Sequence, residues 1–504
     1  MALDLPFKAN NTAGHASRLV SHGAAGYQLW FLFALIFYTP LPLASNRPWA
    51  IALLGALVGI LFLLVVWTKR DIGHAWKLAK IPLLVFTAWI ALLIFQLIPL
   101  PVSWLHALSP RLFFDAGFPS TITIDPYTTR LYLAKTLILA IFFWLLLTLV
   151  DSRRKIEWLA KVIVFSGLFQ AVLGVVLMAT GTSFQLFFVE MAEVRAHGTF
   201  VSPNHFAGYM EMTLSVGIGL MIAKLDGSSS ANWRQRLHSW MAVLLSGKAM
   251  LRLSLIIMVV GLVASRSRMG NSAFFASLLI AGLFTVIVSK YIASNVDEKS
   301  AKNKLRATVV FILSLIVLDV VIIGGMVGVE KVVQRIENTN LEMKVKAVNQ
   351  NNPIVGAPAA PVQSTEESLE LRINAGKNAM QIVRDFPWLG TGGGTFFLAF
   401  QHYRPFENYG YYDHAHNDYV EIASESGLIG LALLAAIMLH SVRKSVRILV
   451  NRPDQLSRGM VFASLMGVVA LFIHGLVDFN LQIPANAMMF LILLSIPYLL
   501  RRAA

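Results

Sequence analysis

The chain of 504 residues contains no cysteine. That absence removes disulfides, cysteine-based zinc sites and thiol nucleophiles together. Charge is scarce as well: Asp, Glu, Lys and Arg make up 14% of the residues, against about 25% in an ordinary soluble domain. Acids are the scarcer sign, 27 against 42 Lys and Arg, which leaves a formal charge of +15. What fills the chain is apolar, with 56% hydrophobic residues and a mean hydropathy of +0.65. Runs such as Ile81–Leu100 and Leu131–Val150 approach 20 residues, and about 20 apolar residues in a helix cross the ~30 Å hydrocarbon core. The composition therefore predicts an all-α polytopic membrane protein. It excludes a soluble enzyme, a disordered chain and a nucleic-acid partner; membrane lipids are the expected surroundings. An outer-membrane barrel is excluded too, because its strands alternate in hydrophobicity over ~10 residues.

Twelve spans are expected, at roughly 28–44, 49–67, 81–100, 131–150, 158–179, 206–223, 253–269, 271–289, 307–326, 427–441, 459–477 and 486–500. Positive charge then sorts by side. Lys and Arg number two in the N-terminal segment, four in 68–80, three in 151–157, five each in 224–252, 290–306 and 442–458, and two at the C-terminus. The short loops and span ends of the opposite side hold six, namely Arg47, Arg111, Arg130, Arg195, Arg266 and Arg268. By the positive-inside rule both termini are cytoplasmic. The expected organisation is a cytoplasmic segment 1–27, spans one to nine over 28–326, a large partly helical periplasmic loop 327–426, and spans ten to twelve with a short tail over 427–504. The loop carries a helix signature, Ser364 followed three residues later by Glu367 as a capping box. Trp233–Ser246 reads as an amphipathic stretch in the cytoplasmic interface.

The few charges on the sparse side are the candidates for chemistry. Arg195 lies in RAHGTFVSPNHFAGY, and Arg266 and Arg268 lie in SRSRMG. Counted from Leu253 at ~1.5 Å per residue, these last two stand about 20 Å along the seventh helix and point about 200° apart. An arginine at that depth either snorkels to the interface or faces a polar cavity or ligand. The segment YYDHAHNDYVEIASESGLIG supplies His414, His416, Asn417 and Glu421. Histidine is the usual general base; His-x-His beside Asp also fits a metal, and both side chains fit an ordinary polar loop. The run GTGGGTF at 390–396 lacks the Lys-Ser/Thr of a phosphate loop and reads as a turn beside a ligand. Glu211, Asp319 and Lys135 fall inside spans and are expected to find structural partners in the bundle.

This constellation resembles the O-antigen ligase and polymerase superfamily of bacterial inner-membrane glycosyltransferases. The likeness rests on twelve spans with a large late periplasmic loop, on the Arg195 and Arg268 segments, and on His416-Asn417 followed after nine residues by Gly427-Leu428-Ile429-Gly430. The resemblance implies an inverting transfer without cofactor or metal, from a glycan on undecaprenyl diphosphate to an acceptor hydroxyl. The acceptor is lipid A-core in a ligase and a growing glycan in a polymerase; the ligase is the first expectation. By the same resemblance His416 is the base, Arg195 and Arg268 (with Arg266 the second choice) clamp the diphosphate, and His414, Asn417 and Glu421 orient the base or the acceptor. The helix carrying Arg372 and the turn Gly392–Gly394 would roof the cavity. Similar-looking chains labelled bicarbonate transporters make a small-anion transporter the expectation of another class.

Overall fold

The computed structural model describes residues 26–68, 72–109, 111, 120–181, 184–186, 189–191, 195–224, 247–293, 369–404, 412–451 and 454–502. Eleven expected spans fall on described helices, and eight of these helices are long and apolar enough to cross a membrane. In chain order the helices are α1 Gly26–Tyr38, α2 Pro48–Trp67, α3 Ile72–Leu78, α4 Lys80–Leu97, α5 Val102–Leu108, α6 Pro126–Leu149, α7 Arg153–Thr180, α8 Pro203–Ala223 and α9 Gly247–Ala264. They continue as α10 Arg268–Ala293, α11 Leu369–Asp385, α12 Phe396–Phe400, α13 Asp418–Asn451, α14 Gln455–His474 and α15 Pro484–Arg502. The ninth expected span, the amphipathic stretch 233–246, Asp319 and the capping box at 364–367 lie outside the described residues. The all-α expectation meets a small departure, an antiparallel hairpin of β1 (Phe184–Leu186) and β2 (Val189–Met191).

Local sequence explains where the helices start. Asp125, Ser152, Ser202 and Asp454 each accept a backbone N–H from the first turn that follows, which satisfies donors a helix leaves open. Proline in the first turn of α2, α6 and α8 adds a preset φ where no N–H is needed.

At the centre stands α8, buried along almost its whole length. It packs on α14 through Gly219 and Gly459, where a methyl on either would strike the other's carbonyl oxygen. Small residues let two backbones approach where apolar lipid supplies no drive toward helix association. Around this pair α7, α9, α10 and α15 complete the layer.

Connections at one end of the bundle are tied together by backbone bonds. Ala196 N–H donates to Ala264 O (3.0 Å), Ile124 N–H to Thr391 O (2.9 Å) and Asp418 N–H to Gly475 O (2.9 Å). Among the described residues, Arg195, Arg266, Arg268, His414, His416 and Asn417 sit on these connections. At the other end, Arg153 pairs with Asp454 (3.3 Å) and Lys444 donates to Leu78 O (3.2 Å).

The half-buried lysine of α6 is satisfied by a carbonyl: Lys135 Nζ donates to Gln482 O at 2.5 Å. Glu211 finds its partner on α14, where His474 Nδ1 lies 2.7 Å away. Both are the structural pairings expected for ionisable groups inside a bundle.

Candidate functional site

The richest polar segment is organised by three acids on the first turns of α13. Asp418, Glu421 and Glu425 are each 1–2% exposed, and their i, i+3, i+7 spacing sets them along one face. Each holds a different stretch of chain. Both oxygens of Asp418 accept from Leu481 N–H (3.1 and 3.2 Å). Glu421 accepts from Ala415 N–H (2.9 Å) and lies 2.7 Å from His414 Nδ1. Glu425 accepts from Phe396 N–H (3.2 Å).

The helix begins nine residues before the expected tenth span and is broken where that span was to start. Gly427 has φ 64° and ψ −174°, a conformation essentially confined to glycine. The chain 387–392 wraps this break: Leu428 N–H donates to Pro387 O (2.7 Å), Thr391 N–H to Ser424 O (2.9 Å) and Gly392 N–H to Glu425 O (3.0 Å). The glycine run at 390–394 is thus a clasp around the broken helix, further fixed by Gln96 Oε1 accepting from Gly393 N–H (3.1 Å). It does not line the cleft described below, contrary to the expected roof.

Asn417 caps α13, its Oδ1 accepting from Tyr419 and Val420 N–H (3.0 and 3.1 Å), while its Nδ2 donates to Leu476 O (2.8 Å). His416, just before it, adopts φ 49°, uncommon for a non-glycine residue. Phe479 gathers three histidines. His414 stacks on it (4.0 Å between centroids, 19°), and His416 and His205 meet it edge-on at 5.2 and 4.5 Å. Next to Phe479, Asp478 stands 3.5 Å from both His205 Nε2 and His474 Nε2. Burial opposes its charge, yet His205 and His474 hold the Asp478 carboxyl well below the usual carboxylate range.

This polar layer reaches the arginine segments. Glu211, bonded to His474, lies under the start of α10, 3.1 Å from where a methyl on Gly270 would be. That start is a turn rather than the end of a long helix. α9 stops at Ala264, Ser265 Oγ accepts from Ser267 N–H (3.2 Å), and Ser267 Oγ accepts from Gly270 N–H (3.2 Å). Arg266, at φ 51°, and Arg268, the first residue of α10, are therefore both exposed on an interhelical turn. The expectation that they point apart on the seventh helix is corrected, because two serine caps end that helix early. The Ala196–Ala264 bond brings the Arg195 segment to the same turn, and Arg195 is half-buried. Among the described residues no carboxylate pairs with Arg266 or Arg268.

Beside His416 opens a cleft of about 420 Å³, lined by Ile373, Lys377, Met380 and Arg384 of α11 and by His416, Asn417 and Val420. The opposite face of α11 explains its placement. Ala375, Ala379 and Ile382 are buried against Ala415, Val420 and Ala423, and Asp385 is held by Arg111 (2.5 Å) and by Tyr403 Oη (2.8 Å). Arg372 belongs to α11, but its side chain is outside the described residues. Neither Arg195 nor Arg268 lines the cleft; the Glu211–His474–Asp478–His205 layer runs from beneath the start of α10 to Phe479, which His416 meets edge-on. Sequence reading missed that layer and the cleft's two cations. Asp478 and His474 are isolated polar residues at the end of an apolar run, whereas Lys377 and Arg384 share a stripe at i, i+7 that was legible.

One consequence concerns pH. His414 is pulled down by burial, but the charge and hydrogen bond of Glu421 outweigh this, and its pKa is raised above 6.5. A group whose folded pKa is raised contributes stability that is fully present below its unfolded value and is lost as pH rises through the folded value. Glu421→Gln is therefore expected to lower the melting temperature more at about pH 6 than at about pH 9. Equal losses at both values would mean that the pair contributes no proton-linked stability.

Among the described residues no group of three or more His, Asp or Glu side chains is arranged to hold a metal ion. What the described parts define is a multi-pass membrane protein with a buried polar layer and a cleft at one end of its bundle. Residues 253–435, about a third of the chain, match the protein family described as O-antigen ligase, and over that stretch the chain is similar to it. His416, Arg266 and Arg268 lie inside the matched stretch, and Arg195 lies before it. No curated protein matches the chain. The family match lends no support to the small-anion transporter.

Proposed function

We propose that the chain is an inverting, metal-independent glycosyltransferase of the O-antigen ligase type, working on the periplasmic side of a bacterial inner membrane. It moves a glycan from undecaprenyl diphosphate to a hydroxyl of an acceptor such as lipid A-core. The observation that carries this reading is His416 facing a cleft within the family-matched stretch, held in an uncommon backbone conformation between the Asn417 cap and the Glu421–His414 pair. A non-glycine residue kept at positive φ is a motive to suspect function.

In the reaction His416 takes the proton from the acceptor hydroxyl, and the oxygen attacks the anomeric carbon. The bond from that carbon to the phosphate oxygen breaks, and its electron pair leaves with undecaprenyl diphosphate. Attack from the opposite face inverts the anomeric configuration. The growing negative charge falls to Arg195 and Arg268, with Arg266 beside them, since guanidiniums bind phosphate in bidentate fashion. Asn417, His414 and Glu421 fix the position of the base.

The clamp is tested by donor binding. Arg195→Ala and Arg268→Ala are expected to weaken binding of a lipid-diphosphate glycan by roughly tenfold or more. Lysine substitutions are expected to cost less. Unchanged binding in both alanine variants would return these side chains to interfacial snorkelling.

A further inference from the structure

The cleft beside His416 is chemically one-sided. Among the described residues its lining contains two cations, Lys377 and Arg384, and no acid. Both side chains are exposed, and among the described residues neither has an ion-pair partner, although the neighbouring Asp385 is taken up by Arg111 and Tyr403. The packing of Ala375, Ala379 and Ile382 turns the other face of α11, with Ile373, Lys377, Met380 and Arg384, toward the opening. Lys377 and Arg384 lie two turns apart, about 10 Å along the axis, a span their long side chains can close onto one small anion. A cation in the last turn favours any helix, which accounts for Arg384 alone but not for Lys377. Apart from His416 and Asn417, the rest of the lining, Met380, Val420 and Leu476 among it, is apolar and suits the flat face of a sugar ring.

The geometry points to an acceptor subsite: the cleft recognises an anionic substituent, a phosphate or carboxylate on the acceptor glycan, through Lys377 and Arg384, and so presents a nearby hydroxyl to His416. This rests on the transferase reading above and gives it an acceptor class. It also separates the charges by task, with Arg195 and Arg268 serving the donor and the two α11 cations serving the acceptor.

The test is binding to the full chain in detergent, with three probes: lactose 1-phosphate, lactose, and dihexanoylphosphatidylglycerol as a lipid headgroup. The expected result is that lactose 1-phosphate binds at least about tenfold tighter than lactose. The double variant Lys377→Gln/Arg384→Gln is expected to lose that preference, keep its affinity for lactose and melt at the wild-type temperature, because both side chains are exposed. A preference that survives in the double variant, or that is lacking in the wild type, overturns the proposal. Phosphatidylglycerol binding as tightly as lactose 1-phosphate, and displacing it, overturns the glycan assignment in favour of a lipid headgroup. Because the readout is binding, a wild-type chain that prefers the phosphorylated sugar but makes no product contradicts the transferase reading alone. A chain that makes product without the preference contradicts this proposal alone.

Discussion

Replacing His416 with alanine is expected to abolish glycan transfer, by on the order of 10²–10⁴-fold, in a protein that still inserts and melts normally. The expectation follows from where the ring sits. His416 is half-exposed on the cleft wall and meets Phe479 edge-on, so truncation removes a surface of the cleft rather than a support of the bundle. The structural duties around it are carried by others: Asn417 caps α13, and Glu421 holds His414 and the Ala415 amide. Donor binding is expected to be retained, since the proposed diphosphate clamp is made by Arg195 and Arg268, which do not line the cleft wall that His416 forms. Activity in His416→Ala within a fewfold of wild type would end the assignment of the base.

Gly427→Ala is expected to destabilise the protein by about 3 kcal/mol or more, without touching any proposed reacting group. Two costs combine. A side chain at φ 64°, ψ −174° costs of order 1–3 kcal/mol in backbone strain. The added methyl would also overlap the Trp388 carbonyl and crowd the Leu389 amide, so the 387–392 clasp must open. That clasp carries the backbone bonds to Ser424 and Glu425, and loosening it frees the first turns of α13 with their three acids. The measurement is melting temperature in detergent, set beside Gly59→Ala. Gly59 is an ordinary helical position in α2 where a methyl would meet nothing within 4 Å. A similar, small loss in both variants would mean that the break at Gly427 is not strained.

Much of the fold was legible because span length and charge asymmetry are bulk properties. Helices α2, α4, α6 and α7 coincide with apolar runs, and the loops richest in Lys and Arg alternate with those that have few. Where short polar contacts override hydropathy, the reading failed. Serine caps at 265 and 267 end α9 before the arginines, although hydropathy favours a helix running to 269. Asp418, Glu421 and Glu425 read as loop because they are charged, yet buried amides and His414 satisfy them and make them helical. His416, Asn417 and Glu421 could be found from local spacing. The layer joining Glu211, His474, Asp478 and His205 spans 205–478 in sequence, and no local pattern signals a contact made across that distance.

The central claim, that the cleft at His416 joins a lipid-linked glycan to an acceptor hydroxyl, is tested most directly by reconstitution. The purified chain in liposomes would receive a glycan on undecaprenyl diphosphate and lipid A-core, with chelator present, and the product would be analysed for size and anomeric configuration. The account predicts one glycan joined to the acceptor with inverted configuration, and none with His416→Ala. Products lengthened by repeated glycan addition would identify a polymerase of the same superfamily. Retained configuration, or no transfer by the wild-type chain to any glycan acceptor, would contradict the account.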